Sequence, residues 1–203
     1  MPLESLLRSL RALPESGPRD AYLQFVTAAG DASLRRGGGP EHVTASCFVF
    51  SPGFDQVLLC FHRKGQFWVQ FGGHIEPDDA TVAEAAQREA REESGISDLV
   101  LLSSAGFPAA SPVLMDLDRH DLHGGFSCSA HWDVGYAAVV DPDAAISVSD
   151  ESEAVRWFPV SALPAQVPVG FGARLEHVRR AAVSLQHRNT EACPGGEVAR
   201  VVP

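Results

Sequence analysis

The sequence predicts a mixed α/β fold, and three observations carry that prediction. Runs rich in β-branched and aromatic residues begin at His42 and recur along most of the chain. One strongly acidic helical segment interrupts them between Thr81 and Ser94. Further helical stretches frame the strands at both ends, and strands outnumber helices.

Taken in order, Leu3, Leu6, Leu7 and Leu10 recur at helical spacing, and Pro14 with Gly17-Pro18 ends that segment. A second helix is expected over 19–33, and Gly37-Gly38-Gly39-Pro40 has the composition of a linker. Strands are expected over 43–50, 57–61 and 67–71, separated by the turns Ser51-Pro52-Gly53 and Lys64-Gly65. After the acidic helix come strands over 99–102, 132–140 and 154–158, then a helix over 171–186. The expected organisation is therefore a helical N-terminal extension with a Gly-rich linker (1–40), a main domain (41–186) and a flexible C-terminal tail (187–203).

Composition limits the function classes. In 203 residues, 45% hydrophobic and 21% charged, a sizeable core is available and the composition disfavours wholesale disorder. The formal net charge of -10 disfavours sequence-independent binding to nucleic acid. A small anionic substrate remains compatible if a metal ion locally reverses the field. Cys47, Cys60, Cys128 and Cys193 are scattered, with Cys47 and Cys60 in apolar runs, which suits a reducing compartment. The N-terminal apolar run is broken by charges, and no stretch is long enough to span a bilayer, so a cytoplasmic protein without membrane partners is expected.

The chemistry concentrates between Gly73 and Ile96. A glycine-rich turn containing Pro77 leads to Thr81, a good N-cap, and Glu84 three residues later completes a capping box. Gly95 stands where a left-handed C-cap is expected. Glu89, Glu92 and Glu93 are three and four residues apart and share a face with Val82, Ala85 and Ala86, while Glu84, Gln87, Arg88 and Arg91 point elsewhere. Crowded carboxylates on an apolar stripe repel one another and are costly to desolvate. A divalent cation with hard oxygen ligands, Mg²⁺ or Mn²⁺, would relieve both problems. The plainer alternative is a solvated acidic helix whose arginines pair with its glutamates.

This segment resembles the Nudix box. Arg88-Glu89-Ala90-Arg91-Glu92-Glu93-Ser94-Gly95-Ile96 meets the second half in full. In the first half Asp79 stands where glutamate is expected after Gly73, and one extra residue separates it from Arg88. Segments His42-Val-Thr-Ala-Ser, Gln70-Phe-Gly-Gly-His74, Val155-Arg-Trp-Phe-Pro159 and Leu163-Pro164 extend the resemblance over about residues 41–180. It implies an α/β/α sandwich around a mixed β-sheet. It also implies water attack on a phosphoanhydride (pyrophosphate) bond of a small nucleoside-diphosphate derivative. By position, Glu89, Glu92, Glu93 and the Gly73 carbonyl would bind the metal, Glu89 doubling as candidate general base, and Arg88 would orient the cluster. A catalytically inactive nucleotide-binding or regulatory module is the alternative, and a homodimer is compatible with the fold.

Other residues make weaker claims. Arg63 and Lys64, before the box, are candidate phosphate clamps, and His74 is a candidate to face substrate. His120, His123 and His131 with Asp133 resemble a metal site only in composition; their spacing matches no helical zinc pattern, so no tightly held zinc is expected. Asp150, Glu151 or Glu153 could reach the metal from outside the box. Trp68, Trp132 and Trp157 are expected in the core.

Overall fold

The computed structural model of the protein describes residues 1–105, 111–122, 128–149 and 152–192. Its centre is strand β1 (Glu41–Phe50), buried along nearly its whole length. β1 runs parallel to β8 (Ala130–Val139), paired from Glu41↔Ala130 to Phe50↔Val139. The other edge of β1 is shared. Its first half takes antiparallel β4 (Phe71–His74), and its last residues take β2 (Gln56–His62). β2 also pairs with β3 (Phe67–Val69) and β9 (Ser152–Pro159), and β7 (Asp116–Asp121) closes the far edge beside β8. The result is a seven-stranded mixed sheet; β5 (Ser103–Ser104) and β6 (Ser111–Pro112) form a separate small pair.

Alternation along β1 divides the core. Val43, Ala45, Cys47 and Val49 face a layer made by α1 (Pro2–Ala12), α2 (Gly17–Ala29) and α3 (Val82–Ser94). Phe48 and Phe50 face α4 (Phe171–Ala192), where Phe171, Leu175 and Val178 pack against them. This is the expected α/β/α sandwich.

Several local expectations change. The strand expected over 67–71 is two strands parted at Gln70, one serving β2 and the other β1. Residues 99–102 contribute only the isolated bridge Leu101↔Ala138. β7 was unexpected because Asp-Leu-Asp-Arg-His-Asp lacks an apolar alternation. The second helix stops at Ala29 and a 3₁₀ turn, Gly30–Leu34, follows. The N-terminal segment is helical but does not stand apart: Leu6, Leu7, Leu10, Tyr22 and Val26 belong to the main core. The glycine run is a closed turn, with the Gly38 N–H bonded to the Arg35 carbonyl. α4 continues past residue 186 to Ala192, and residues 193–203 lie outside the described residues. No helix among the described residues is long and apolar enough to cross a membrane.

Candidate active site

β4 and α3 build the site together. The α3 termini form as the sequence dictates: Thr81 Oγ1 accepts from the Glu84 N–H, and Glu84 returns a carboxylate oxygen to the Ala80 N–H. Gly95 ends the helix at φ 76°, and a side chain there would also run into Ser147 Oγ. Val82, Ala85, Ala86 and Ala90 are buried, fixing which face of the helix meets the sheet.

The three glutamates do not share one environment. Glu93 lies on the buried stripe at 4% exposure, and one of its carboxylate oxygens accepts the Gly72 N–H at 2.8 Å. The Glu89 carboxylate, 15% exposed, lies over Gly73 so closely that a Cβ there would come within 2.5 Å of Oε1. Gly73 is glycine because the carboxylate occupies the place of a side chain. Glu92 is 58% exposed. One residue is about 100° of helix rotation, so Glu92 falls at the border of the stripe on which Glu93 is central.

Arg88 holds this group in place. Its Nε and Nη2 make a bidentate bond to Asp79 at 3.1 and 3.0 Å, Nη1 donates to Glu89 and Glu92 at 3.0 and 3.2 Å, and Nη2 also donates to the His74 carbonyl. Arg88 thus turns inward rather than serving the polar surface. The hydrogen bond to Asp79 chiefly raises its pKa, so the guanidinium is a permanent cation. Asp79, of uncertain register from sequence, is buried at 7% exposure and also accepts the Glu76 N–H. It is a positioning residue for Arg88. Asp79 stands in the loop three residues before α3 and reaches Arg88 from there.

The remaining candidates are dispersed. Arg63 donates to the Ser152 carbonyl at 3.2 Å, and Lys64 is exposed in the β2–β3 turn. The His74 ring packs against His42 and His131, and burial pushes its pKa down to about 4. His120 pairs with Asp118, His123 lies outside the described residues, and Asp133 joins an arginine cluster. Asp150 and Glu151 lie outside the described residues, whereas Glu153 accepts from Gln66. Trp68 and Trp132 are buried, and Trp132 is stacked on Phe25 with its indole N–H on Glu41.

A second polar group was not foreseen. Arg174, in the first turn of α4, pairs with Asp116, Asp118 and Asp133. Thr44 and Ser46 donate to the two oxygens of Asp133 at 3.0 and 2.7 Å, and Tyr22 donates to its backbone carbonyl at 2.7 Å. The clues are single polar residues in otherwise apolar strands, which give no sign that they meet.

The carboxylates around α3 are hard oxygen donors, of the kind that suits a cation of the Mg²⁺ or Mn²⁺ class. The NUDIX domain family matches residues 40–178. A NUDIX-family hydrolase of Clostridium perfringens superposes with a TM-score of 0.56 at 24% identity, covering 71% of this chain and 97% of that one. The E. coli dihydroneopterin triphosphate pyrophosphohydrolase superposes with a TM-score of 0.54 at 17% identity, covering 70% and 97%. A C. elegans Ap4A hydrolase does so with a TM-score of 0.54 at 14% identity, covering 70% and 98%. No curated protein matches the chain in sequence. With the family matched over residues 40–178, and with Glu89 and Glu93 of α3 set against the glycines of β4, the chain belongs to the Nudix hydrolase family.

Proposed function

We propose that the protein hydrolyses a phosphoanhydride bond in a small nucleoside-diphosphate derivative, with Glu89, Glu92, Glu93 and the Gly73 carbonyl holding Mg²⁺ or Mn²⁺. One observation carries the reading: the Glu89 carboxylate lies over Gly73 while Glu93 is fastened to the Gly72 N–H. That supports a reading in which carboxylate oxygens of α3 stand beside the glycines of β4. When bound, the cation supplies neutralisation of phosphate charge and Lewis acidity toward water.

The protein's own groups do the rest. Arg88, anchored by Asp79, fixes the rotamers of Glu89 and Glu92. Glu89 is the candidate acceptor for the proton of the attacking water, because it stands over Gly73 and is less deeply buried than Glu93. Arg63, Lys64 and His74 remain candidate substrate contacts; of these, the His74 imidazole packs into a group of histidines. The organisation into a helical segment 1–40, a main domain 41–186 and a tail is part of the same proposal, as is a cytoplasmic location.

The test pairs a substrate panel with two variants. Nucleoside triphosphates, sugar nucleotides, dinucleoside polyphosphates, coenzyme A and ADP-ribose are incubated with and without Mg²⁺ or Mn²⁺, and products are resolved by chromatography. Glu93→Gln preserves size and the Gly72 bond but removes charge, and should lower turnover roughly a hundredfold or more while the fold persists. Glu84→Gln keeps the capping box and should cost little. Equal, small losses in both variants would return α3 to the status of a solvated acidic helix. A panel with no turnover but measurable nucleotide binding would favour the inactive module.

A further inference from the structure

We propose that His42, His131 and Cys128 form a second metal site, selective for a transition-metal ion of the zinc class. The sequence argued against zinc because its histidines fit no helical spacing. The fold supplies what spacing does not. His42 and His131 are direct partners in the parallel pairing of β1 with β8, and Cys128 precedes β8 by two residues.

One ligand atom from each of the three residues lies within 4.8 Å of the others, and Cys128 Sγ is 3.5 Å from His131 Nε2. Tetrahedral zinc with ordinary Zn–S and Zn–N bonds separates sulfur from nitrogen by about 3.6 Å. His42 is fully buried, yet neither ring nitrogen has a hydrogen-bond partner among the described residues. A buried imidazole with two orphaned nitrogens is costly unless something binds it. His74 packs 5.1 Å from the His42 ring and 5.4 Å from the His131 ring, and its buried Nε2 is likewise unpartnered. It borders the site without joining the three ligands.

The chemistry of the donors separates this site from the carboxylates of α3. Imidazole and thiolate prefer zinc-class ions, whereas Mg²⁺ prefers oxygen. Binding would displace the Cys128 thiol proton to solvent and join the starts of two neighbouring strands through one ion.

The untagged full-length protein is treated with chelator, loaded with Zn²⁺ or Co²⁺, dialysed and analysed for metal by mass spectrometry. About one equivalent of zinc should resist dialysis, and the cobalt form should show a thiolate-to-metal charge-transfer band with intense tetrahedral ligand-field absorption. Cys128→Ser should abolish the charge-transfer band, and His131→Ala and His42→Gln should each release the metal; Glu93→Gln should retain it. Cys128 is half-buried at the strand rim, so its serine variant tests the site even if a histidine variant fails to fold. A cobalt spectrum without a thiolate band, zinc lost entirely on dialysis, or zinc lost with Glu93→Gln would each overturn the proposal.

Discussion

Arg88 and Arg174 sit on the two helices that cover opposite faces of the sheet, and each is ringed by three carboxylates. Around Arg174 the acids come from β7 and β8, with Asp116 and Asp133 at 7% and 6% exposure, and both oxygens of Asp133 are further occupied by hydroxyls. Around Arg88 only Asp79 is enclosed to that degree; Glu89 is at 15% and Glu92 at 58%. The first group ties helix to sheet through two buried acids, with Asp118 more exposed at 29%. The second joins a buried anchor, Asp79, to the glutamates beside Gly72 and Gly73. Counting charges does not distinguish a lock from a candidate site; the elements that each arginine joins do.

The comparison can be broken most severely in the layer that α1 and α2 share with α3. Deleting residues 1–40 removes Leu6, Leu7, Leu10, Tyr22 and Val26 from the core. At about 1.5–3 kcal/mol per buried side chain this is on the order of 10 kcal/mol, comparable to the whole stability of a domain. The truncated protein should show no cooperative unfolding transition; a well-folded product would make the N-terminal helices an appendage after all.

Replacing the arginines separates the two groups directly. Arg174→Met leaves three acids, two of them deeply buried, without their cation, and should lower stability by about 3–5 kcal/mol in urea denaturation. Arg88→Met should lose about 1–3 kcal/mol, yet more turnover per folded molecule than Arg174→Met. Reversed rankings would make the Arg174 group the working one. Asp79→Asn keeps one acceptor for Arg88 and loses the charge pairing. A fall in turnover of about tenfold, with a small change in melting temperature, is expected for a residue that positions another. No change in turnover would remove Asp79 from the argument.

The smallest effect belongs to His120, at the exposed edge of the Arg174 group. Its hydrogen bond to Asp118 raises its pKa, aided by Asp133 and opposed by burial and Arg174, with the His131 ring adjacent. A histidine pKa raised by folding stabilises below the ordinary histidine value and loses that contribution as pH rises through the folded value. His120→Gln should therefore destabilise more at about pH 6 than at about pH 8. Equal differences in unfolding midpoint at both would show that the pair contributes nothing.

How much was legible differs between these same regions. Thr81, Glu84, Gly95 and the inward glutamates are neighbours in sequence, and the pitch of a helix converts their spacing into a shared face. The Arg174 group draws on α4, β1, β7 and β8, and its members stand singly among residues that give no hint of partnership. β7 escaped notice for the same reason, since its polar residues are stabilised by strand pairing and by Arg174 rather than by an apolar face.

The sequence by itself determined the family, the acidic helix with its caps and the central strands. Each depends on residues within a few turns of helix or a single strand, where spacing fixes geometry. Only the tertiary structure decided that Asp79 anchors Arg88, that Glu92 faces solvent while Glu93 is buried, and that the first forty residues complete the core. It also decided that His42 meets His131, because strand register is set by packing across the whole sheet, and a shift of one residue would have turned either histidine to the opposite face.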